Sequence, residues 1–237
     1  MSAPAPQPPA PAGKRSGRRR WLTRALLLAA ILLGGYLLRA PLLRGLASAL
    51  VAQDPAFPAD HLLLLSGDRD CACAARHLHS HPDARVLLVR RQPDRLESLG
   101  VVPSRLAVRR RELLARGVPP GAITVLPGQA RTDWDVARRL REWLPGRPDA
   151  RVLVYCHRFD SRRLGRIFGR VLGEEAPRVG FLGLRSRHYD EADWWRHKPG
   201  LLDFLDSSLR LGFTFFAGEG DEDSPDWDPD AYERSLR

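Results

Sequence analysis

Acidic residues are missing from the first fifty positions of this 237-residue chain, yet eight bases lie there. Lysine is scarce throughout: of 38 Lys+Arg, only Lys14 and Lys198 are lysines. Three cysteines, Cys71, Cys73 and Cys156, are too few for a disulfide-stapled scaffold. No internal repeat is present, which excludes solenoids and propellers. The G-x-S-x-G turn of the α/β-hydrolases does not occur. His157, Asp160 and Ser161 stand nearly in succession, so they cannot readily aim at one another as a serine-hydrolase triad.

The formal charge of +10 is mostly N-terminal, because past Val51 there are 30 bases against 28 acids. A nucleic-acid binder would keep its basic excess on the folded body, so no nucleic-acid partner is expected. Lys14, Arg15, Arg18, Arg19, Arg20 and Arg24 precede an uncharged apolar run, Ala25–Leu38, and Arg39 and Arg44 follow it. That is the pattern of a segment entering a membrane with its N-terminus left in the cytoplasm. Fourteen residues are short for a span, but counting from Trp21, with Arg24 reaching to the interface, gives eighteen. Ala47-Ser48-Ala49 resembles a signal-peptidase site but lies far beyond Leu38, with two arginines between, so a retained anchor is expected.

The expected organisation is a disordered basic cytoplasmic tail (1–20) and a transmembrane signal anchor (21–43) with the lipid bilayer as partner. A juxtamembrane linker (44–59), a folded domain (60–217) and an acidic C-terminal tail (218–237) follow. The chain is then a single-pass protein of the cytoplasmic (inner) membrane, its C-terminal domain periplasmic or otherwise extracytoplasmic.

Within the domain, strand and helix patterns alternate. Short apolar runs at His61–Leu65, Arg85–Val89, Ile123–Leu126, Arg151–Tyr155 and Val179–Leu182 read as strands covered on both faces. Helices are expected at Cys71–His79, Ser104–Arg116, Thr132–Leu144, Ser161–Leu172 and Leu201–Phe216. Such alternation predicts a Rossmann-like α/β domain: a parallel sheet of about five strands, helices on both faces, preceded by one N-terminal transmembrane helix.

Ligands of open parallel sheets bind at the carboxyl ends of the strands. There the loops carry Ser66, Gly67 and Asp68; Arg90; Gln129, Arg131 and Thr132, with Asp135 close behind; and His157, Arg158 and Arg162. Arginines beside helix N-termini favour an anion. Asp68, Asp133 and Asp135 are the carboxylates placed for acid–base work. The plainer account makes Asp70, Thr132 and Asp160 helix N-caps and leaves the arginines solvated. His77, His79 and His81 near Cys71 and Cys73 invite a metal, but on a helix His79 points away from the other two, and no metal site is expected. Cys71 or Cys73 pairing with Cys156 is an alternative to three free thiols. Trp194 and Trp195 are read as packing of the last helix, with a membrane-interface role as the alternative.

Two stretches carry a resemblance. Leu113–Leu140 (LLARGVPPGAITVLPGQARTDWDVARRL) resembles the GVP-x-I-x-x-E-x-x-S-x-x-T-x-E-N segment of the SanA/ElyC/YdcF-like family (domain of unknown function 218). Val152–Phe168 (VLVYCHRFDSRRLGRIF) resembles that family's next strand and loop, V-T-S-x-x-H-x-x-R-A. Thr132 and Arg162 hold the motif's threonine and arginine, while Asp135 stands at its asparagine. Trp134 replaces its glutamate, Gln129 its serine, and Phe159 falls at its histidine, with His157 two places earlier. The resemblance covers about residues 58–216. It implies a Rossmann-like domain behind one membrane helix, serving bacterial envelope integrity and peptidoglycan supply, with S-adenosylmethionine as a ligand found in one member. The expected function is binding of a small anionic or nucleotide-like ligand. The alternative is a non-catalytic scaffold of an envelope complex, its partner proteins those of the envelope, with a degenerate ligand site.

Overall fold

A computed structural model describes residues 15–54, 57–66 and 69–217, giving only the backbone of 15–20 and 22–23. The first expected tail up to residue 14, the acidic tail from residue 218, and Gly67 and Asp68 lie outside the described residues. The chain divides into two units after Leu43.

The first helix, α1 (Arg15–Ser48), contains the stretch Arg24–Ser48, long and apolar enough to cross a membrane. Its 25 residues would extend about 37 Å as an α-helix, more than the roughly 30 Å of a bilayer's hydrocarbon core. The helical pattern thus runs past Leu43, where the linker was expected, because Leu42, Leu43 and Leu46 continue the apolar run.

The second unit is a Rossmann-like α/β domain. Its strands are β1 (His61–Leu64), β2 (Arg85–Arg91), β3 (Ile123–Ala130), β4 (Val152–His157) and β5 (Val179–Leu184). They form one parallel sheet in the order β3-β2-β1-β4-β5. The crossovers are helical: α2 (Asp70–Ser80), the short α3 (Arg95–Ser98) with α4 (Arg105–Ala115), α5 (Asp133–Trp143) and α6 (Ser161–Leu172). Two cores form, one on each face. Alternate strand residues decide the face: Leu62, Val86 and Leu153 point to the α2/α4 side, and Leu63, Leu87 and Val154 to the α5/α6 side. Cys71 belongs to the first core and Cys156 to the second, so the sheet itself separates these thiols, and all three cysteines are free.

β2 and β3 run longer than their apolar cores predict. Pro127-Gly128 reads as a turn, but a register shift between Leu88 and Arg90 accommodates it, with Gly128 at φ +80°. Pairing then resumes, Arg90 opposite Gln129 and Arg91 opposite Ala130. The proline is tolerated because β3 is an edge strand. Arg90 and Gln129 are therefore strand residues and not members of free loops.

A last helix, α7 (Lys198–Phe216), packs on α6 and on the turn after β4. Phe159 in that turn is 1% exposed and lies 5.8 Å from Phe204, 5.9 Å from Tyr189 and 6.2 Å from Trp194, ring centre to ring centre. Trp194 stacks on Phe204 at 4.0 Å, so it packs inside the domain as the plainer sequence reading has it. The outer face of α7 leaves Leu209, Phe213 and Phe216 exposed.

Phe159 is the hub of that aromatic cluster, and Phe159→Ala is expected to cost about 3–5 kcal/mol of stability. Chemical denaturation of the full chain measures it, with α7 loosening first in hydrogen exchange.

Candidate functional site

β1 and β4 are neighbours in the sheet but not in sequence, so the connections leaving them turn in opposite directions and open a crevice at their carboxyl ends. The β1 exit is tied to β4: the Leu65 and Ser66 amides both donate to the Tyr155 carbonyl, at 2.9 and 3.2 Å. A cavity of about 460 Å³ opens there. Six arginines line it, Arg69, Arg91, Arg163, Arg185, Arg187 and Arg210, against the carboxylates of Asp133, Asp160 and Asp203. Ser66, Ser186, His157 and His188 also line it.

Asp133, the first residue of α5, is gripped from two sides. Arg91 Nη2, at the end of β2, donates to one carboxylate oxygen at 2.7 Å, and Arg163 Nη2, from α6, donates to the other at 2.6 Å. Burial pushes the carboxyl up, but the two guanidinium groups outweigh it and hold it below the ordinary carboxylate range. Asp133 is thus an ionised strut, poorly suited to carry protons. Arg163 is nearly buried, and Asp160 also approaches it at 3.4 Å. Asp133 and Asp160 together answer the charge of Arg91 and Arg163. Arg69 donates to the Arg185 carbonyl at 2.9 Å, and no carboxylate among the described residues pairs with it.

On the opposite wall His157, the last residue of β4, meets α7. Its Nε2 is 3.2 Å from the Tyr189 hydroxyl and 3.4 Å from Asp203 Oδ2, and Tyr189 donates to the same Asp203 oxygen at 2.7 Å. Burial and the Asp203 carboxylate push the Tyr189 hydroxyl well above its ordinary ionisation range, so it stays protonated.

A second buried acid lies nearby. Asp70, at the first position of α2, is 0% exposed; its Oδ1 accepts from the Cys71 amide at 2.8 Å. Its Oδ2 has no hydrogen-bond partner among the described residues, with Arg109 Nη2 at 3.5 Å. Burial pushes the Asp70 carboxyl up to about 6, against the pull of Arg109. Arg109 is itself committed to the Leu64 and Ser66 carbonyls, at 2.8 and 2.5 Å, holding the β1 exit in place.

The residues expected from sequence separate into groups. Ser66, Asp133 and His157 line the cavity. Arg90 and Gln129 line a separate hollow of about 150 Å³, and Arg131 another of about 240 Å³. Thr132 and Asp135 form a capping box on α5: Thr132 Oγ1 accepts from the Asp135 amide, and Asp135 Oδ2 accepts from the Thr132 amide. Burial opposes ionisation of Asp135, but Arg138 and the backbone amides bring it down to about 2. The N-cap account therefore describes Thr132, whereas Asp160 makes no cap bond and pairs with Arg163. Arg158 pairs with Glu191 and packs its backbone on Gly183. Arg162 donates to the Val51 carbonyl at 3.0 Å and to the Ser48 carbonyl at 3.4 Å, so it secures the segment entering the domain and lies outside the cavity wall. Ser161 is fully buried, donating to the Arg158 carbonyl and accepting from the Ala52 amide, which leaves no free hydroxyl for a triad. Among the described residues no three His, Cys, Asp or Glu side chains are grouped as a metal centre needs. His77 and His81 stack at 4.5 Å, as their helical spacing foretells.

Sequence reasoning missed Arg69, Arg163, Arg185, Tyr189 and Asp203 as site residues. Asp203 and Tyr189 carry no local signal, since they come from the last helix and the segment before it. Arg163 had one, its three-residue spacing from Asp160.

Asp133→Asn leaves two arginines without their shared counter-charge, and a loss of about 3–5 kcal/mol is expected in equilibrium denaturation. For Asp70, a folded-state value near 6 against an ordinary 3.8 means that the native state favours the proton. Its contribution is most favourable in acid and declines as pH rises through that window, by roughly 3 kcal/mol at most. Asp70→Asn is expected to flatten that slope between about pH 4 and pH 6. Unfolding midpoints measured across the window check it.

Comparison with protein-family models, curated proteins and solved structures finds no match.

Proposed function

We propose that this chain is a single-pass protein of the cytoplasmic membrane whose exported α/β domain binds a small anionic, nucleotide-like ligand in the crevice between β1 and β4. The observation that carries the reading is the cavity wall: six arginines at a topological switch point, with Arg69 among them lacking a carboxylate partner among the described residues. Guanidinium groups match phosphate and carboxylate geometry, and about 460 Å³ suits a ligand of small-metabolite size. Membrane attachment is supported by the Arg24–Ser48 helix, and the outward placement of the domain by eight bases and no acids before Val51. The similarity of Leu113–Leu140 and Val152–Phe168 to the SanA/ElyC/YdcF-like family supports a role in envelope and peptidoglycan maintenance, with S-adenosylmethionine among the ligands to try.

A second reading, a scaffold of an envelope complex, draws on Phe159. Where the resemblance expects a histidine, this chain has a buried aromatic that holds α7.

Thermal unfolding of the full chain in detergent distinguishes the two. Inorganic phosphate, nucleotides or S-adenosylmethionine at a hundredfold excess over the dissociation constant should stabilise it by about 2.7 kcal/mol. Arg69→Ala should abolish that response while changing basal stability little. No response to any of the three classes favours the scaffold. A phosphatase reporter fused after Arg237 should be active only outside the cytoplasm; activity confined to the cytosol would overturn the topology.

A further inference from the structure

We propose that the arginine-lined cavity is a hydrolytic centre for phosphate esters, with His157 as its general base; this rests on the anion-binding reading of the same cavity. The hydrogen-bond chemistry around the ring decides which nitrogen works. Tyr189 has a single hydroxyl proton and gives it to Asp203 Oδ2 at 2.7 Å. Toward His157 Nε2, 3.2 Å away, the tyrosine oxygen therefore offers only a lone pair. The other neighbour of Nε2, Asp203 Oδ2 at 3.4 Å, is also an acceptor. Two acceptors at one nitrogen require the proton there, so the neutral imidazole carries Nε2–H and its basic lone pair is on Nδ1. No hydrogen bond to Nδ1 forms among the described residues, and His157 is part of the cavity wall.

The arrangement has the logic of an oriented base. A carboxylate behind the ring fixes its tautomer and stabilises the imidazolium that forms once it takes a proton. Backbone pairing with Leu184 on β5 and an edge contact to Phe159, ring centres 6.0 Å apart, hold the ring's place. Asp133 is unfit for this task because its two arginines keep it ionised with little basicity.

The step balances with water as the only co-reactant. Nδ1 removes a proton from a water molecule as its oxygen attacks the phosphorus of the bound ester. The bond from phosphorus to the alcohol oxygen breaks, its electron pair leaving with that oxygen. The imidazolium then returns its proton to the departing oxygen. Ester and water become phosphate and alcohol, and no electron donor or acceptor takes part. Arg69, without a carboxylate partner among the described residues, is placed to hold the charge of the non-bridging oxygens.

The test uses the full chain in detergent with p-nitrophenyl phosphate and bis(p-nitrophenyl) phosphate, and inorganic phosphate binding as a separate readout. The unaltered chain should release p-nitrophenol from at least one probe. His157→Ala should lower the rate by about 10²–10⁴-fold with phosphate binding retained, and added imidazole should restore part of it. His157→Gln, closer in size, guards against misfolding and should show the same loss without imidazole rescue. Phosphate binding without turnover of either probe overturns the hydrolytic proposal and leaves the binding reading intact. A His157→Ala rate equal to the original overturns the role of His157. Absence of phosphate binding together with absence of turnover overturns both readings.

Discussion

Asp133 ties together the ends of three elements. Its carboxylate sits at the start of α5 and is held by Arg91 from the end of β2 and Arg163 from α6, each within 2.7 Å. Opposite charges at that separation, shielded from water, attract strongly, yet taking them out of water is expensive. The arrangement persists because every charged group in it has a partner, Arg163 sharing Asp160 as well. It fixes the cavity floor and removes two arginines from the pool that could bind a ligand.

The same crevice shows how local and distant demands divide the polar residues. Thr132 and Asp135 satisfy the orphan amides at the start of α5, a local need that their spacing alone meets. Arg109 and Arg162 use their guanidinium groups on backbone carbonyls, of the β1 exit and of the segment entering the domain. In each case a polar side chain that reads as free in sequence bonds backbone groups at the ends of helices and strands or just beyond them. What remains facing the cavity is a smaller set: Ser66, Arg69, His157, and groups delivered by α7 and the stretch before it.

The domain's framework was legible residue by residue. His61–Leu64, Arg85–Val89 and Val152–Tyr155 are apolar on both sides, so they are strands covered by helices on both faces, and the pattern carries that directly. Strand lengths were less legible: Pro127-Gly128 resembles a turn, and only the pairing of β3 with β2 keeps it within the sheet. Of the candidate site, Ser66, Asp133 and His157 follow from the rule that strand ends face the crevice. Arg90, Gln129, Arg131 and Arg162 obey the same rule in sequence but turn to other hollows or to backbone, because side-chain direction at a strand end depends on register and neighbours.

The sequence by itself determined the class of the fold and the segregation of charge. Hydrophobic periodicity is a local property that each segment carries alone, and the acid-free N-terminal fifty residues need no folding to be read. Tertiary structure alone decided which ionisable groups meet. Tyr189, Asp203 and His157 come from three separate parts of the chain, and their hydrogen bonds exist only once α7 packs on Phe159. Such contacts depend on distances across the fold and on exclusion of water, and no local pattern encodes either.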